Sequence, residues 1–230
     1  MMCYFFMLPL HHIKNAALKK RIYISIIFIL ALTACHHNSH RVAQGRTIPF
    51  EHTMQAYADS SYEYRCSLPV FIQAPAFNMH INTLANRYKN RFITHLHDTS
   101  VIAAGYTLPR LSIKDSVFTS TNRMLSVQLT YISHIGRQRV IECQSFNYNC
   151  KTQTLLNDSD ILDCHQKEKI DHLIKKHLPA DMAAGCIPQD KYSLNISPQG
   201  LVFTFICTSD SANIVRVLIP HTETIGISKL

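Results

Sequence analysis

Residues 111–131 read LSIKDSVFTSTNRMLSVQLTY, and their pattern decides the fold class. In the second arm Leu125, Val127, Leu129 and Tyr131 alternate with Ser126, Gln128 and Thr130. A period of two puts the apolar set on one face of a strand and the polar set on the other. The first arm, Leu111 to Thr119, is rich in strand formers. The polar link Ser120-Thr-Asn-Arg123 is short enough to fold one arm back onto the other. The stretch reads as an antiparallel hairpin.

Similar signals lie on both sides of it. Tyr62 to Cys66 alternates as a strand does, and Pro69 ends that stretch. Ile81, Leu84, Ala85, Tyr88 and Phe92 fall on one helical face and predict a helix over 78–96. Downstream, Val140 to Tyr148 is another strand. Asp158-Ser-Asp160 opens a second helix that continues through Ile170, Leu173, Ile174 and Leu178 to a stop at Pro179. The chain ends in a meander: Tyr192 to Ile196, a turn at Ser197-Pro-Gln-Gly200, Leu201 to Cys207, and Val215 to Pro220. Strands outnumber helices, and no βαβ alternation is regular enough for a parallel sheet. The expected class is α+β, with antiparallel sheet packed against two main helices.

The N-terminal region has another purpose. Lys19, Lys20 and Arg21 lead into an apolar run from Ile22 to Leu32. That run is well short of the roughly 20 residues a spanning helix needs, and it fits a secretory signal. Leu32-Thr-Ala-Cys35 resembles the bacterial lipobox, whose cysteine is diacylated and becomes the new N-terminus. Residues 1–34 are therefore read as a lipoprotein signal peptide, 35–55 as a flexible tether, and 56–230 as the extracytoplasmic domain. Lipid on Cys35 would hold the chain on a membrane, facing the periplasm or the exterior, the outer membrane if the cell is Gram-negative.

Composition narrows the function. The first 34 residues hold four basic residues and no acidic ones, which leaves 19 basic and 15 acidic residues in the rest. The charges are scattered without a run of Lys or Arg, which argues against a nucleic-acid partner. Beyond Cys35, six cysteines at Cys66, Cys143, Cys150, Cys164, Cys186 and Cys207 are candidates for disulfides in an exported protein, with Cys150 to Cys164 attractive only because the intervening loop is short. No CxxC, HExxH, nucleophile elbow or phosphate-binding glycine loop occurs. His36, His37 and His40, the His95-Leu-His97 pair and Cys164-His165 fall short of a zinc ligand set. Asp158, Asp160 and Asp163 are read as helix-capping acids. No cofactor, metal or catalytic residue is expected.

Residues 145–161, SFNYNCKTQTLLNDSDI, resemble a pattern in which a strand "x-N-x-D-x-x-T-G" leads through "L-x-L-x-D-L-F" to a helix. It is that of the domain of unknown function at the C-terminus of RsiV-type, lysozyme-sensing anti-sigma factors. Residues 192–205, YSLNISPQGLVFTF, are similar to the family's hairpin. Leu68-Pro-Val-Phe71 ahead of Ile81-Asn82 looks like the companion domain that precedes it. The resemblance covers about 62–222, with 56–108 companion-like and 109–230 like the RsiV C-terminal part. It departs at His134-Ile-Gly-Arg137, where the family often has Gly-Gly-Ala-His, at Thr152-Gln153 and at Ile161-Leu162.

The resemblance implies an extracytoplasmic binding domain without catalysis. The residues ahead of the apolar run are too few for a sigma-binding domain. Lysozyme or peptidoglycan is the implied partner, although a cationic lysozyme would be repelled by the chain's net positive charge. The alternatives are a structural envelope lipoprotein without a discrete ligand, and a cell-wall glycan enzyme using a carboxylate pair such as Glu142 or Asp115 with another acid.

Overall fold

A computed structural model describes residues 45–98, 107–179, 191–207 and 213–230, all within one unit spanning His40–Leu230. The elements run β1 (Glu51–Ala58), β2 (Glu63–Val70), α1 (Pro75–Asp98), β3 (Arg110–Ser120), β4 (Met124–Ile135), β5 (Gln138–Asn149), β6 (Thr154–Leu156), α2 (Asp158–Ile161), α3 (Lys167–Lys176), β7 (Ser193–Ile196), β8 (Gly200–Cys207) and β9 (Asn213–Pro220). Two sheets form, one of six strands in the order β1 to β6 and one of three in the order β7 to β9.

The quoted hairpin is β3–β4, in register from Arg110↔His134 to Ser120↔Leu125. Thr121 closes its turn, donating its Oγ1 proton to the Met124 carbonyl at 3.2 Å. The apolar set Leu125, Val127, Leu129 and Tyr131 packs into one core with Phe77, Ile81, Ala85, Tyr88, Phe92 and Leu96 of α1. Proline at the first position suits a helix start, because its missing N–H would have no partner there. Asn78 fixes the entry, bonding Phe71 through both its Oδ1 (3.0 Å) and its Nδ2 (2.9 Å). His95 and His97 in the last turn suit the negative end of the helix dipole.

Several expectations need correction. β2 and β3 pair in parallel over Glu63–Cys66, so α1 is the crossover of one βαβ unit within an otherwise antiparallel sheet. Pro69 does not end its strand. It pairs with His52 at a point where β3 no longer adjoins β2, so one side of the strand lacks a ladder to disrupt. The tether stops short of residue 55. Ile48 is buried, Thr47 bridges Thr121, and β1 begins at Glu51, because β2 offers an edge that this segment can complete. The second helix is broken. Leu162 turns extended and pairs with Ser228, while the backbone N–H groups of Asp163 and Lys229 donate to the carbonyls of Ile227 and Ile161 respectively. Pairing with the chain's last residues outcompetes one helical turn, and a helix resumes at Lys167.

The second core lies under the small sheet. Ile170, Leu173 and Ile174 of α3 pack with Leu201, Phe203, Phe205, Val217 and Ile219. The Ser197–Gly200 turn needs its glycine, since a Cβ on Gly200 would stand 2.0 Å from the Ile219 carbonyl oxygen.

The small sheet meets the large one through a polar seam. Ser145 Oγ donates to Asn195 Oδ1 at 2.6 Å, Asn147 Nδ2 to the Leu194 carbonyl at 2.8 Å, and Thr119 Oγ1 to the Ile196 carbonyl at 2.6 Å. Ser193 Oγ bonds the Cys143 carbonyl at 2.7 Å, and Arg216 reaches Gln128 Oε1 at 3.1 Å. Ser126, Gln128 and Asn195 are fully buried in this seam. The polar half of the hairpin's alternation therefore faces a second sheet and not water.

Candidate functional site

The seam covers only one end of the large sheet's polar face. Among the described residues nothing covers the other end, and the register determines what it displays. Glu63 pairs with Arg110, Arg110 with His134, and His134 with Arg139, a straight ladder across β2, β3, β4 and β5. The next row reads Arg65, Ser112, Ile132 and Ile141. In the third, Lys114 pairs with Thr130 and Thr130 with Cys143, where the small sheet takes over.

These rows form a groove of about 460 Å³ lined by Glu63, Arg65, Arg110, Lys114, His134 and Arg139, with Ser112, Leu111 and Ile132. Glu63 is the one acid of the lining, and it is engaged by Arg110 Nε at 3.1 Å. Arg65, Arg110, Lys114 and Arg139 are exposed at the surface. Burial pushes the His134 imidazole below its usual range, and the charges of Arg139 and Arg110 push it the same way. Residues 45–150 carry ten basic and six acidic side chains, whereas 151–230 carry eight and nine, so the positive excess belongs to the region that builds the groove. Converging planar guanidinium groups on a rigid sheet suit oxyanions, which they can grip with two parallel hydrogen bonds.

Residues singled out from the sequence have other surroundings. His134 and Arg137 lie at the β4–β5 turn, which Gly136 completes with a φ of 58°, and His134 is part of the ladder. Glu142 pairs with Arg91 Nη2 at 2.8 Å. Asp115 accepts from Ser67 Oγ at 2.9 Å and meets His52 Nε2 at 2.8 Å. Neither acid lines the groove. His95 and His97 sit on a helix, where residues two apart point to different sides. Asp163 caps the turn before α3 by accepting the His165 N–H at 3.1 Å, and Asp160 accepts that of Asn157 at 2.8 Å. Ligand atoms of Asp163, Cys164 and His165 come within 4.8 Å of one another, but on consecutive residues of one turn whose acid already serves as the cap.

The disulfide reading requires correction. Cys66, Cys143, Cys150 and Cys164 are free thiols. Cys150 packs against the first core and donates to the Thr121 carbonyl at 3.5 Å, while Cys164 is exposed beside the second core. Cys207 is buried in the second core. Cys35, with the signal peptide read over 1–34, and Cys186 lie outside the described residues. Among the described residues, no helix is long and apolar enough to cross a membrane.

A search of solved structures finds the same arrangement. One match is a DUF3298 family protein from Pseudomonas aeruginosa PAO1, with a TM-score of 0.52 and 10% identity over 79% of this chain and 94% of that one. Another is a DUF3298 family member from Bacteroides fragilis, with a TM-score of 0.53 and 12% identity over 80% and 96%. The fold is shared. DUF3298 denotes a domain of unknown function, and identities this low carry the fold alone. No family model and no curated protein matches the sequence.

The groove's cations were missed in the sequence because they are spread over 75 positions, from Arg65 to Arg139, with no local run. The available signal was the alternation in Arg110-Leu-Ser-Ile-Lys114, which puts both charges on the polar face of β3.

Proposed function

We propose that this chain is a lipid-anchored cell-envelope protein that binds an acidic ligand in the basic groove, without catalysis. The observation that carries the proposal is the ladder Glu63–Arg110–His134–Arg139 with Arg65 and Lys114 beside it, an open cationic row on a face whose other half is sealed. Of the two partners implied by the RsiV-type resemblance, the lining favours peptidoglycan, whose stem peptides carry carboxylates. A strongly cationic lysozyme would be repelled by it. The lipobox at Leu32–Cys35 supports the anchor and the envelope location.

Calorimetric titration of the detergent-solubilised chain, with soluble peptidoglycan fragments and separately with lysozyme, tests this at low and moderate salt. Saturable binding of the fragments that weakens with salt, and falls at least about tenfold in Arg110→Ala, is the expected result. Heat with lysozyme alone, or with neither, overturns it.

A further inference from the structure

We propose that the ladder holds an extended glycan bearing several carboxylates, and that His134 takes up a proton as this ligand binds; the proposal rests on the groove reading above. Its first support is the shape of the cationic surface. The ladder spans three strand spacings, about 14 Å, with Arg110 and Arg139 at different points along it and Arg65 and Lys114 in the rows behind. One compact anion reaches one or two of these groups. A chain with carboxylates at intervals reaches all of them. Between the cations lie the Ser112 hydroxyl and the Ile132 side chain, a polar contact and an apolar strip against which a sugar ring can rest.

The second support is the position of His134. The charged residues that share the groove with it are Arg110 and Lys114 from β3, Glu63 and Arg65 from β2, and Arg139 from β5. Its neighbours in the ladder, Arg110 and Arg139, are both cationic. Without a ligand, partial burial and then these two charges disfavour the imidazolium. A carboxylate laid along the ladder places negative charge beside the same ring and reverses the balance. The complex then holds a proton that the free protein lacks, so affinity rises as pH falls through the interval where only the bound ring is charged.

Calorimetry of the full chain with soluble peptidoglycan fragments, at about pH 7.5 and about pH 5.5 on either side of the ordinary imidazole value, reads both effects. Repeating it in buffers of different ionisation heat counts the protons taken up. Binding about fivefold tighter at the lower pH, with proton uptake, is expected if binding raises the His134 pKa by about one unit, a shift whose ceiling is about tenfold. His134→Gln should bind equally at both pH values with no proton uptake. A pH-independent, proton-neutral wild type overturns the role of His134 and leaves the groove standing. Proton uptake that persists in His134→Gln overturns it too. The absence of binding at either pH defeats the groove itself. Stronger binding to vesicles of anionic phospholipid than to the fragments overturns the choice of glycan.

Discussion

The two halves of one sheet face show what polar residues on a strand can be for. At the end near the turn of the β3–β4 hairpin, Ser126, Gln128, Ser145 and Asn147 are neutral and bond across to β7 and β9. At the other end, the same alternation displays Arg65, Arg110, Lys114, His134 and Arg139, and among the described residues no second sheet covers that end. Neutral amides and hydroxyls can be buried because each finds a partner of matched geometry, whereas a buried guanidinium needs a counter-charge. The change from neutral to charged along β3 and β4 marks where the small sheet ends. It separates a structural surface from a binding one.

Asn195→Ala should strain that comparison most. It removes the partner of Ser126, Gln128 and Ser145 in a buried seam, and about 2–3 kcal/mol of stability should be lost in urea unfolding. A loss under about 0.5 kcal/mol would mean that the seam is wet. Thr204 is the converse case, since its Oγ1 is the one buried side-chain polar atom without a partner among the described residues. Thr204→Val should therefore raise stability by about 1 kcal/mol, read in the same experiment.

Arg65→Ala, on the open half, should change stability by less than about 0.5 kcal/mol while weakening the binding of peptidoglycan fragments. Equal losses of stability and affinity would make the groove part of the framework. The smallest effect belongs to Cys164→Ser. With Cys164 an exposed thiol, its melting temperature should stay within about 1 °C of the wild type, against the 2–4 kcal/mol that a native bridge contributes.

Much of the fold was legible. The alternation over Leu125–Tyr131 located β4, and the spacing of Ile81, Ala85, Tyr88 and Phe92 located α1, because both patterns are periodic burial written locally. The β8 turn was equally clear, since Pro198 and Gly200 restrict the backbone by themselves. The errors arose where distant segments compete. The helix expected from Asp158 breaks because Ile227 and Ser228 pair with Asp163 and Leu162, and β1 forms because β2 has a free edge.

Sequence alone determined the α+β class, the hairpin, the long helix and the polar and apolar faces of the strands. Each of these follows from side-chain periodicity within one element. Only the tertiary structure decided that β2 and β3 run parallel, that one half of the polar face is sealed, and that Arg65, Arg110, His134 and Arg139 meet. Those facts depend on which strands become neighbours and in what register, a choice made by long-range pairing and packing and not by local pattern.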